Sequence, residues 1–132
     1  MGSVNLHTLS EGYRLILDQL GWLYEHSQDG TLDAAILDAL HRLDRDLAGH
    51  FARERDLMTQ TGYPEADRHE ETHTLIRRFL DKLAATVERR DLGLFQREMP
   101  FFLHLVLDHQ TGDDRRFDDF MHGLEEAAVP VH

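Results

Sequence analysis

The chain has 132 residues, ten histidines, no cysteine and a net charge of −11 with the histidines neutral. That length suits one domain with one sizeable core. The missing cysteine excludes disulfides and thiolate metal sites, and the acidic balance argues against direct nucleic-acid or anionic-membrane binding. No apolar run approaches the roughly 20 residues of a membrane span, and no basic-then-apolar leader opens the chain. Met1-Gly2-Ser3 begins like a myristoylation signal, but Leu6 stands where Ser or Thr is needed. The expected location is cytoplasmic.

Apolar residues recur at helical spacing between sparse glycine and proline breaks. The first helix is expected from about Ser10, as N-cap, to Gln28, with Tyr13, Ile16, Leu17, Leu20, Leu23 and Tyr24 facing inward and Asp29-Gly30 as its stop. The second starts near Thr31 to Asp33 and reaches about Thr61. Its stripe runs Ile36, Leu40, Leu43, Leu47, His50, Glu54 and Leu57 or Met58, and Gly62-Tyr63-Pro64 ends it. The third covers about Glu65 to Arg90 with His69, His73, Ile76, Leu80, Leu83 and Val87 on one face, and is broken at Asp91-Leu92-Gly93. The fourth runs from about Leu94 to Gln110 through Phe95, Phe102, Val106 and His109, and Gly112 distorts its end. A short helix from Asp114 to about Ala127 precedes a tail at Pro130. Short connections imply antiparallel neighbours. The expected class is all-α: an antiparallel up-down-up-down four-helix bundle with a short C-terminal helix, one domain over 1–132 with its core at about 10–120.

Six polar residues interrupt these apolar stripes: His50, Glu54, His69, His73, His109 and Asp114. Burying imidazoles and carboxylates costs several kcal/mol unless something satisfies them. With a rise of about 1.5 Å per residue, His50 lies roughly 27 Å past the start of its helix, and the same distance back from Gly30 reaches Gly12-Tyr13. Glu54 lies about 12 Å before Gly62, and His73 about 13 Å after Pro64. His109 lies about 24 Å after Gly93, matching His73 at about 27 Å before Asp91. An antiparallel bundle thus brings all four helices' polar residues to one level. His50/Glu54 and His69/His73 are i,i+4 pairs that share a face. His109 and Asp114 are five apart, so Asp114 turns inward only where the backbone departs from regular winding. Imidazoles with carboxylates suit iron, manganese and zinc, and two-oxygen carboxylates can bridge a pair of ions.

His69-Glu70-Glu71-Thr72-His73 also spells the zinc-protease motif. A protease needs Glu70 aimed at a metal-bound water and a peptide cleft, and no strand is available to build one. Ferritin-like bundles need two Glu-x-x-His pairs, and Glu70 to His73 is one alone. His26, His41, His104, His122 and His132 read as surface or edge residues. Trp22, opposite Tyr13, could form a dimer patch with Leu15 or lie partly covered on the surface.

Taken together, His50-Phe51-x-x-Glu54, Leu57-Met58, Gly62-Tyr63-Pro64, His69-x-x-x-His73 and His109-x-x-x-x-Asp114 resemble the bacterial hemerythrins over about residues 10–120. The resemblance implies a hemerythrin-like domain with two non-haem iron ions, carboxylate-bridged and joined by an oxo or hydroxo group, that binds dioxygen. It assigns His69, His73 and His109 to one iron, His50 to the other, and Glu54 and Asp114 as bridges. The ligand set itself suits manganese as well. The family's further histidine near the start of the first helix falls on Tyr13 when Leu23-Tyr24-Glu25 is aligned with its counterpart. Tyr13 then either ligates as a phenolate, stays protonated and hydrogen-bonds a bound ligand, or fills the core. His7, six residues earlier, reaches inward only from a non-helical segment. The implied function is binding of dioxygen or a related small ligand for sensing, storage or delivery. The alternative is a di-iron oxidase, peroxidase or nitric-oxide-reacting enzyme using an extra open coordination position. A homodimer and fusion to a signalling domain both fit the chain.

Overall fold

The computed structural model describes residues 6–30 and 33–128, with side chains over 9–30 and 33–127. Five helices follow in order: α1 Leu6–Gln28, α2 Ala34–Thr61, α3 Ala66–Glu88, α4 Leu92–Asp108 and α5 Arg115–Ala128, with a π-helical turn His109–Asp114 between the last two. α1 packs on α2 and α4, and α3 on the same two. The result is the expected bundle, with α5 added at one end.

The stops and starts have local causes. Gly62, at φ +68°, ends α2 by donating to Met58 and Thr59, while Tyr63 N–H donates to the Met58 carbonyl at 3.0 Å. This is the 6→1 and 5→2 pattern that caps orphan carbonyls. α3 ends the same way one residue before the expected break. Arg90 takes the left-handed conformation (φ 58°), and Asp91 N–H reaches the Thr86 carbonyl at 2.9 Å. Asp91 therefore does not break the chain. It is the N-cap of α4, accepting from Leu94 N–H at 3.1 Å, and Leu92 and Gly93 form the first turn. Asp33 caps α2 in the same way through Ile36 N–H at 3.1 Å, while Thr31 and Pro130 lie outside the described residues.

Two expectations for α1 are corrected. Ser10 is not its N-cap, because the helix starts at Leu6 and Ser10 lies exposed in its second turn. The cause is Leu9, a buried residue that prolongs the stripe and packs with Leu57, Met58, Tyr63 and Phe117. Tyr24 does not face inward. It is 38% exposed, and Ser27 takes the buried position. Residues 13, 16, 20, 23 and 27 alternate in steps of three and four, the spacing of a single helical face.

The main core joins Ile16, Leu20, Leu40, Leu47, Leu80 and Phe102, among others, from all four long helices. It fills the bundle from the α1–α2 turn to the level of Phe51. The smaller Leu9–Phe117 cluster closes the opposite end. Between the two lies a layer of buried polar side chains. No helix among the described residues is long and apolar enough to cross a membrane.

Candidate metal centre

That layer holds all six expected residues: His50, Glu54, His69, His73 and His109 are at most 3% exposed, and Asp114 is 9% exposed. Glu54 is central. Its Oε1 lies 3.4 Å from His50 Nε2 and 3.3 Å from His73 Nε2, and its Oε2 lies 3.3 Å from His69 Nε2. Asp114 Oδ1 lies 3.0 Å from His69 Nε2 and 3.2 Å from His109 Nε2. One donor atom from each of Glu54, His69, His73, His109 and Asp114 falls within 4.8 Å of all the others. His50 stands apart from this group of five and meets it through Glu54.

The π turn explains Asp114. On an α-helix, residues five apart are about 140° out of phase. Winding with i→i+5 hydrogen bonds returns the fifth residue to the same face, so His109 and Asp114 both point in. The expected distortion is present, but Gly112 does not require it. Its φ is not positive, and a Cβ there would make only an ordinary 3.7 Å contact with Arg116.

Close distances here are not hydrogen bonds. Buried and without a hydrogen-bond partner are both ring nitrogens of His50, the Nε2 atoms of His69, His73 and His109, Glu54 Oε1 and both Asp114 oxygens. With Nε2 as the single lone-pair atom of the neutral His50 ring, seven donor atoms thus converge unpartnered, although unpaired buried polar groups cost about 1–3 kcal/mol each. Burial lowers His50 and His109 to about 4, with repulsion from neighbouring imidazoles added in both cases. Both rings are therefore neutral at pH 7, with lone pairs free. Burial also pushes Asp114 up to about 8. Burial raises Glu54 too, but the facing imidazoles outweigh it and hold this carboxyl below the ordinary range. Neutral imidazoles beside carboxylate oxygens, all unsatisfied, fit a first-row metal ion such as iron, manganese or zinc.

Outer contacts aim two of the rings. His73 Nδ1 pairs with Glu70 Oε1 at 3.2 Å, and His109 Nδ1 with Asp113 Oδ2 at 2.9 Å. Each pair places the proton on Nδ1 and leaves Nε2 to face the centre. Arg116 in turn contacts Asp113. Phe51 stacks on His73, with ring centroids 3.8 Å apart. The zinc-protease spelling thus dissolves in the structure, because Glu70 serves the back of a histidine ring. Glu70→Gln and Asp113→Asn are each expected to weaken metal binding about 10- to 100-fold, read by competition with a chelator. Neither role was assigned from sequence, although the i,i+3 and i,i+4 spacings carry the signal.

His50 is positioned differently. A Cβ on Gly12 would lie 2.6 Å from His50 Nδ1. Glycine therefore lets α1 close over a ring whose Nδ1 has no hydrogen-bond partner among the described residues. Gly12→Ala is expected to loosen the His50 side alone. A metal titration should show a weaker second equivalent with the first unchanged.

Tyr13 reaches the same layer. Its ring meets that of His50 edge-on at 4.4 Å, it is 9% exposed, and its hydroxyl is buried without a partner. A cavity of about 460 Å³ opens beside it, with Tyr13, Glu54 and Asp114 among its lining residues. The His7 side chain lies outside the described residues, as does His132. His41, His104 and His122 are exposed, and His26 stacks on Trp22 at the edge of α1. Trp22 is itself 37% exposed.

The model of the hemerythrin HHE cation binding domain matches residues 6–126. No curated protein and no solved structure matches the chain.

Proposed function

The chain belongs to the hemerythrin HHE cation-binding domain family, and on that premise we propose that its polar layer holds two non-haem iron ions and binds dioxygen or a related small ligand, for sensing, storage or delivery. The observation that carries this reading is the convergence of seven unpartnered donor atoms on six buried side chains. His69, His73 and His109 would hold one ion and His50 the other, with Glu54 and Asp114 shared. The contacts support sharing of Glu54, since its Oε1 touches His50 of one group and His73 of the other, and its Oε2 touches His69. Two iron ions held this way supply a pair of electrons and open coordination positions for a diatomic ligand.

In this proposal Tyr13 keeps its proton and donates a hydrogen bond into the cavity. Its hydroxyl is buried, unpartnered and on the cavity wall. Tyr13→Phe should leave the visible spectrum of the ferric protein without any lost phenolate band, and should speed autoxidation of the ferrous protein after exposure to air. A phenolate-to-iron band present in the parent and absent in the variant would instead make Tyr13 a ligand. Unchanged autoxidation would make it core filling.

One observation favours a second reading. The cavity is far larger than a diatomic molecule requires, which suits an oxidase or peroxidase, and a nitric-oxide-reacting enzyme is its counterpart for a small substrate. Rapid consumption of peroxide or nitric oxide with no stable oxygenated species would select it.

A further inference from the structure

We infer that the cavity between the N-terminal turns of α1 and the corner where the π turn meets α5 is the entry site for a divalent cation, with Asp118 and Asp119 drawing the ion in toward Glu54 and Asp114. This rests on the metal reading above. The floor of the cavity is formed by Glu54, Asp114 and Tyr13, each at least nine-tenths buried and each carrying an oxygen with no hydrogen-bond partner. Its rim on α5 carries Asp118, Asp119 and His122, with His122 Nε2 3.5 Å from Asp118 Oδ2. Leu9 and Phe117 form apolar wall between rim and floor.

Size and charge both select a hydrated cation. Six waters at about 30 Å³ each occupy about 180 Å³, which the cavity's roughly 460 Å³ admits. A neutral diatomic ligand needs neither that room nor a charged lining. Three carboxylates, those of Glu54, Asp118 and Asp119, and the Asp114 carboxyl line the cavity against one guanidinium, that of Arg115. An acidic cleft with low-dielectric walls focuses field and raises the arrival rate of cations. Ser10, Gln110 and the Tyr13 hydroxyl offer oxygens to replace shed waters one at a time. The crevice on the other side of His69 is unsuited to this task. It is lined by Arg68 and Arg116 as well as Glu65 and Asp113, and it leaves no room for a water molecule.

The test is anaerobic loading of the metal-free full chain with ferrous iron, followed by stopped flow, with the final iron content measured afterwards. The double variant Asp118→Asn/Asp119→Asn should load about 10-fold more slowly at low ionic strength and reach the parent's iron content. The control Asp81→Asn/Glu88→Gln removes the same charge from exposed positions on α3, and should load at the parent's rate. An unchanged rate in the first variant, or equal slowing in the control, would overturn the entry site. So would an unchanged rate with reduced iron content, which would make the two aspartates ligands. A parent that takes up no iron would overturn the metal reading itself.

Discussion

Glu54→Leu is expected to abolish metal binding and, in the metal-free state, to give a protein less stable than its metal-free parent by about 1–3 kcal/mol. The first half follows from geometry. Glu54 is the group whose two oxygens contact His50, His69 and His73, so its loss separates the two sides of the centre. Loss of an outer partner already costs 10- to 100-fold in affinity, and a shared inner ligand should cost more. The second half follows from burial. Glu54 is 1% exposed and held ionised, while burial keeps His50 and His109 neutral at pH 7. Even without metal the facing imidazoles stabilise the carboxylate beyond its burial cost, and a leucine leaves their ring nitrogens buried against an apolar side chain. Calorimetric unfolding of both proteins in chelator checks the sign. A metal-free Glu54→Leu protein more stable than its parent would show that the imidazoles do not satisfy Glu54 unaided.

The second large effect is the dependence of folding stability on metal. Ligand at about 1,000 times its dissociation constant stabilises the folded state by about 4 kcal/mol. At roughly 4 °C per kcal/mol for a domain of this size, the melting temperature should fall by about 15 °C on metal removal. Replacing His50, His69, His73 or His109 by glutamine should shrink that difference. The control positions Asp81 and Glu88 should leave it intact. A melting temperature indifferent to chelator would mean that the polar layer is satisfied without an ion.

The bundle was legible because its stripes are clean. The buried positions of α2 and α3 follow directly from apolar spacing, and helical register then aligns His50, Glu54, His69 and His73. The helix ends were less legible. Arg90 caps α3 in a conformation for which sequence favours glycine, so the expected break fell at Asp91-Leu92-Gly93 instead. Ser10 looked like a cap because the small second core around Leu9 and Phe117 is a tertiary feature that no local pattern marks. Asp114 was found by its chemistry despite being out of phase, and only the π turn explains it. Gly12 could not be read from sequence at all, since its importance lies in a ring on another helix. The same holds for the cavity, which forms only when α1 and α5 meet.

The most direct test of the two-iron centre is the iron content of the chain after anaerobic loading with ferrous iron and removal of free metal. Two iron ions per chain, falling toward none in Glu54→Leu, is the result expected. A content near zero, or a protein that retains a single zinc ion in preference to iron, would contradict it.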